Sequence, residues 1–117
     1  MRILIVEDEL LIALDAEMAL EDAGHEVVGT ATTEGKAIEL ALVHQPDLMI
    51  VDLRLKDGGC GRAAVEEVRS QLDIAVIFAS GNLDPATKTR LEELEPIALL
   101  SKPYGSDELV RIVDEAA

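Results

Sequence analysis

Aromatic residues are nearly missing from this chain. Tryptophan is absent, and 117 residues hold one phenylalanine and one tyrosine. A core must therefore be aliphatic, built from Leu, Ile, Val and Ala. Cysteine is also scarce: Cys60 stands alone, so no intrachain disulfide exists. That fits a reducing compartment, with the cytoplasm as the expected location. Basic residues are outnumbered, 10 Lys+Arg against 24 Asp+Glu, for a formal charge of −14. Such a field repels a phosphate backbone, which excludes direct nucleic-acid binding and favours basic surfaces, cations or other proteins as partners. The opening residues contain no apolar run long enough for a signal peptide or a membrane span, so no membrane association is expected.

What is present is alternation. With about half its residues apolar, one domain spanning residues 1–117 has material for a core. Short apolar runs at 2–7, 25–31, 47–53, 74–80 and 97–101 read as strands. Helical patterns fill 9–23, 33–45, 63–72, about 85–94 and 106–116. The first of these carries apolar residues at positions 10, 11, 14, 18 and 20, with Gly24 as its stop signal. Thr32 or Thr33, Asp84 and Ser106 are expected N-terminal caps, and Pro85 suits a first helical position. Residues 56–62 form a glycine-rich loop.

The alternation predicts a (βα)5 α/β fold. Strands apolar on both faces imply a parallel sheet covered by helices on both sides, doubly wound and flavodoxin-like, in the order 2-1-3-4-5. In such sheets ligands sit at the carboxyl ends of the strands, near the switch in strand order. That rule brings together Glu7 and Asp8 from strand 1, Asp52 from strand 3, Ser80 from strand 4 and Lys102 after strand 5. Singly, each has an ordinary reading. Asp8 suits the positive end of a helix, Ser80 suits a turn hydroxyl bonded to its own backbone, and Lys102 suits a surface amine. Asp52 closes the apolar run Leu48–Val51 and must be at least partly buried.

Three carboxylates in one cleft raise one another's pKa unless a cation is present. An all-oxygen donor set without His or Cys suits Mg²⁺. Asp52 then becomes a candidate nucleophile towards phosphorus, with Lys102 and Ser80 available to the phosphoryl oxygens.

The stretches "ILIVEDE", "DLMIVDLRLKDG", "VIFASG" and "SKPY" resemble, in order and spacing, the receiver domain of two-component response regulators. The resemblance covers essentially the whole chain. It implies that Asp52 is the phosphoacceptor, served by a histidine kinase or histidine phosphotransfer protein. It implies Mg²⁺ held by Asp8 directly, by Glu7 through water, by Asp52, and by the backbone carbonyl of Arg54. Ser80 becomes the hydroxyl that turns towards the phosphoryl group. Lys102 becomes its cationic partner, with a cis Lys102–Pro103 bond. Leu99 stands where the family usually has Tyr or Phe. Together with "FASG", it resembles a subgroup of stand-alone receivers with a Phe-Ala-Thr-Gly-type motif.

The implied function is a phosphorylation-dependent switch rather than an enzyme turning over a separate substrate. Its output face is the fourth helix, fifth strand and fifth helix, meeting a downstream protein or a second copy of the chain. Leu83, Leu91, Leu94, Leu99 and Tyr104 would form or support that face. No output domain follows, so the chain reads as a stand-alone receiver or a piece of a larger regulator. Three alternatives fit the residues less well. An interaction module that is never phosphorylated would not need all five site residues. An aspartate-nucleophile phosphohydrolase needs a carboxylate two residues after the nucleophile, where Arg54 stands. A flavodoxin-like electron carrier needs a phosphate loop after strand 1 and aromatics for the flavin.

Overall fold

Each apolar run is buried as a strand, and the helices between them cover both faces of the sheet. The computed structural model describes residues 1–55 and 58–117. Its elements are β1 (Arg2–Val6), α1 (Leu10–Asp22), β2 (Glu26–Ala31), α2 (Glu34–His44), β3 (Leu48–Asp52), α3 (Gly61–Arg69), β4 (Ala75–Ser80), α4 (Pro85–Glu92), β5 (Ala98–Ser101) and α5 (Ser106–Ala116). The five strands pair in parallel in the order β2-β1-β3-β4-β5. The predicted (βα)5 architecture is the observed one. Among the described residues, no helix is long and apolar enough to cross a membrane. Lys56 and Asp57 of the predicted glycine-rich loop lie outside the described residues.

Period-two alternation along the strands makes two core layers. Leu4, Val6, Met49, Val51, Val76 and Phe78 point to one side and meet Ala37, Ala41, Ala64, Val65, Val68 and Leu91 of α2, α3 and α4. Ile3, Ile5, Leu48, Ile50, Ile77 and Ala79 point to the other and meet Ala13, Ala16, Leu20, Leu109 and Val113 of α1 and α5. Burying each large aliphatic side chain stabilises the fold by about 1.5–3 kcal/mol before entropy is counted. β3 is buried at all five positions, whereas edge strand β2 is half-exposed. An edge strand has one neighbour and less helix cover, so two-faced burial holds for the central strands only.

The helices differ from expectation in detail. Thr33 caps α2, its hydroxyl accepting from Lys36 N at 3.1 Å, and Asp84 caps α4 by accepting from Thr87 N at 2.7 Å. At α5 the cap position is Gly105, without a side-chain cap, and Ser106 is already helical. α3 starts two residues earlier than predicted and ends three earlier. α1 forms where expected but faces the other way: Leu10, Leu11, Leu14 and Met18 are exposed, and Ala13, Ala16 and Leu20 face the sheet. Small alanines let the helix lie close to β1, and the larger side chains are left outward.

Gly61 explains the early start of α3. A Cβ on this residue would overlap the backbone carbonyl oxygen of Asp52 and sit 2.5 Å from Val51 Cγ1. Gly61 N also donates to Leu53 O at 2.9 Å, which locks the start of α3 under the end of β3. Gly61→Ala should therefore destabilise the fold by at least about 2 kcal/mol, because the obstacle is largely backbone. Urea unfolding measures this, and an unchanged midpoint would show that α3 can shift freely.

Candidate functional site

The parallel register lines up the strand ends. Val6 pairs with Val51, Asp52 with Ala79, and Ser80 with Ser101. Glu7 therefore emerges one residue past β1, next to Asp52 at the last position of β3. Lys102 follows β5, and its backbone N donates to Ser80 O at 2.9 Å. The Lys102–Pro103 bond is cis, as the resemblance implied. All of these groups reach one edge of the sheet.

Glu7, Asp52 and Ser80 are buried, at 4%, 7% and 8% exposure, while Asp8 is half-buried. Glu7, Asp8 and Asp52 each offer a carboxylate oxygen within 4.8 Å of the others. Lys102 Nζ donates to Glu7 Oε1 at 3.0 Å and to Asp52 Oδ2 at 3.2 Å. The ammonium thus joins two of the three carboxylates. Beyond them a cleft of about 720 Å³ opens, lined by Asp8, Asp52, Arg54, Ser80, Asn82 and Lys102 among others.

Local bonds hold the groups in place. Glu7 Oε2 accepts from Glu9 N at 3.1 Å, and Asp52 Oδ1 accepts a longer bond from Arg54 N at 3.4 Å. Glu9 occupies the N-cap position of α1 rather than its first turn, and it lines the mouth of the cleft. Ser80 Oγ accepts from Asn82 N at 3.1 Å and donates to Asn82 O at 3.3 Å. Here its hydroxyl closes its own turn, which is the ordinary reading of that residue.

Burial is the main force on the titration of the site. It pushes the Glu7 carboxyl from 4.5 up to about 7, helped by the charge of Asp52 and opposed by Glu9 N–H and Lys102. Burial works against the charged form of Lys102, but its bonds to Glu7 and Asp52 win and raise it above the usual lysine range. The half-buried Tyr104 phenol is pushed up to about 12 by burial and by the nearby Glu7 charge.

The donor set fits a hard divalent cation: three carboxylates, without His or Cys. Chain reasoning did not anticipate the double engagement of Lys102. Nor did it anticipate Glu34 on α2, whose Oε1 accepts from Cys60 N at 2.9 Å and ties down the loop after Asp52. No local pattern marks Glu34, because its role depends on how α2 packs beside α3. Leu99 pairs with Phe78 and packs, half-buried, against the first core layer with Leu83 and Leu94, while Leu91 is fully buried. These leucines belong to the core layer covered by α2, α3 and α4, whereas α5 covers the other layer.

A parallel five-stranded sheet with an acidic cluster and a lysine at its carboxyl edge defines a class. Residues 3–114 match the response regulator receiver domain, and the chain belongs to that family. It is 35% identical over 115 residues to the Phyllosphere-induced regulator PhyR of Methylorubrum extorquens, covering 97% of this chain and 42% of that protein. It is 34% identical over 117 residues to the transcriptional regulatory protein PdtaR of Mycobacterium tuberculosis, covering 98% of this chain and 56% of that one. The chain spans about half the length of these two relatives. The crystal structure of the anti-anti-sigma factor PhyR from Bartonella quintana superposes with a TM-score of 0.81 at 34% identity, covering 98% of this chain and 47% of that one. Membership implies phosphorylation-dependent two-component signalling.

The raised Glu7 pKa has a stability consequence. The folded chain holds this proton more tightly than the unfolded chain. Between pH 4.5 and 7 the Glu7 contribution therefore falls as pH rises, and it is fully lost above pH 7. Unfolding free energies of the Mg²⁺-free protein, compared with Glu7→Gln across that range, should show the wild type losing stability relative to the variant. A difference that stays flat or rises with pH contradicts the assignment.

Proposed function

We propose that residues 1–117 form one receiver domain that takes a phosphoryl group on Asp52 from a phosphohistidine of a histidine kinase or phosphotransfer protein. The observation that carries this reading is the Asp52 carboxylate itself. It is buried at the end of the central strand, held at 3.2 Å by Lys102 Nζ, and open to the cleft. An Asp52 oxygen attacks phosphorus in line, the P–N bond breaks, and its electron pair returns to the imidazole. Glu7, Asp8, Asp52 and the Arg54 carbonyl would hold Mg²⁺, which when bound supplies positive charge to the transferring oxygens. Lys102 is positioned to exchange part of its pairing with the carboxylates for the new phosphoryl oxygens.

The switch follows from charge. A phosphoryl group adds negative charge at the end of β3 and draws Lys102 and the Ser80 hydroxyl towards it. Ser80 then leaves the turn it closes with Asn82, and Lys102 moves the loop after β5. Both loops adjoin α4, β5 and α5, so the equilibrium of that face shifts. The face would meet a downstream protein or a second copy of the chain. A protein output is supported by the description of the Bartonella quintana relative as an anti-anti-sigma factor, a role exerted on proteins. The charge of −14 makes nucleic acid an unsuitable direct target. We place the protein in the cytoplasm, where such phosphodonors act. Arg54, standing where a hydrolase would place its second carboxylate, argues against a phosphohydrolase.

Beryllofluoride with Mg²⁺ mimics the acyl phosphate and tests the reading directly. Calorimetry should show Mg²⁺-dependent binding to the wild type and at least about a hundredfold loss in Asp52→Asn, since the variant removes the anchoring charge. A wild-type chain that binds no beryllofluoride would sink the proposal.

A further inference from the structure

The loop after Asp52 is built on a short antiparallel pairing, with Arg54 facing Cys60 across it. Gly61 N donates to Leu53 O at 2.9 Å, and Leu55 N donates to Gly59 O at 3.2 Å. These two bonds flank the Arg54–Cys60 pair, so the N–H groups of that pair point outward, on opposite edges. On one edge Arg54 N donates to Asp52 Oδ1 at 3.4 Å. On the other, Cys60 N donates to Glu34 Oε1 at 2.9 Å. A chain of contacts therefore runs from α2, through the two legs of the loop, to the Asp52 carboxylate.

Glu34 is placed to act as an anchor. It stands in the first turn of α2, whose start is fixed by the Thr33 cap. Fully buried Ala37 and Ala41 pack that helix into the core layer that also holds Ala64, Val65 and Val68 of α3. The start of α3 has no such help from its own residues. Its N-cap residue, Cys60, makes no side-chain cap bond, and its first turn has no acidic residue. The Glu34 carboxylate brings an acceptor and a negative charge to that positive helix end from another helix.

We infer that Glu34 is a positioning residue for phosphoryl transfer: its bond to Cys60 N holds the loop that sets the Asp52 carboxylate. The inference rests on the chemistry proposed at Asp52. Glu34 is not among the residues that line the cleft, so it acts through Cys60 and Arg54 rather than on the reacting atoms. Without its bond the loop samples more positions, and binding at Asp52 must order it again.

The test compares the full chain as wild type, Glu34→Ala and Glu34→Gln. Ala removes the acceptor, whereas Gln removes the charge and keeps a carbonyl that can accept the bond. Circular dichroism at the working temperature checks that all three are folded. Below the unfolding transition a modest loss of stability leaves the folded fraction near one, so affinity reads the site and not the fold. Calorimetry with beryllofluoride and Mg²⁺ should show at least about a threefold loss in Glu34→Ala, and a smaller loss in Glu34→Gln. Without either additive, the Cys60 amide should exchange with water at least about threefold faster in Glu34→Ala. A smaller effect of Glu34→Ala on either measurement overturns the inference. So does an equal loss of affinity in Glu34→Gln, which would assign the effect to charge. A wild type that binds no beryllofluoride removes the Asp52 reading and this inference with it, whereas equal binding by wild type and Glu34→Ala removes the inference alone.

Discussion

The ammonium of Lys102, held between Glu7 and Asp52, is the contact on which the functional end of this molecule depends. Two carboxylates stand buried at the rim of an aliphatic sheet, and each would lose hydration without return if left alone. One cation shared by both makes that edge tolerable, yet it does not neutralise it. Glu7 responds by holding its proton up to about pH 7, and Lys102 holds its own above the usual range. The site is thus under-compensated by design of its residues, with Asp8 adding a third carboxylate nearby. A further cation, or a group that engages Lys102, changes the balance.

The rest of the fold serves to keep that contact in place. β1 and β3 are adjacent and in register, which sets Glu7 beside Asp52. β5 sits two strands away, but the bond from Lys102 N to Ser80 O anchors the start of the lysine loop. From there the long side chain spans back across β4. Beneath Asp52, the missing side chain of Gly61 lets α3 begin against the strand end, and Glu34 restrains the loop from the α2 side. This support is rigid, because a packed core does not deform gradually.

Strand and helix order was legible because burial imposes simple periods. Four- and five-residue aliphatic runs without polar interruption leave few alternatives to central parallel strands, and Thr33 and Asp84 announce their helices through short-range caps. The convergence of Glu7, Asp8, Asp52, Ser80 and Lys102 was legible too, since strand order and the rule for carboxyl ends depend on connectivity alone. The side α1 turns to the sheet was not legible. Its seven-residue pattern of leucines and methionine looks like a core stripe, and only the position of β1 shows that alanines face inward. The cap of α5, the start of α3 and the place of Glu9 shifted by one or two residues for the same reason: ends are decided by what lies beside them.

Taken by itself, the order of residues determined the fold class, the elements, and the set of polar groups that meet at one edge. Those follow from local periodicity and chain connection. Which carboxylate shares the lysine, which glycine must stay bare, which side of α1 faces water and how Ser80 spends its hydroxyl were decided by tertiary structure. Each of these is a contact between residues distant in the chain, fixed by the sheet register and by the close approach of helices, and no local pattern encodes such a distance.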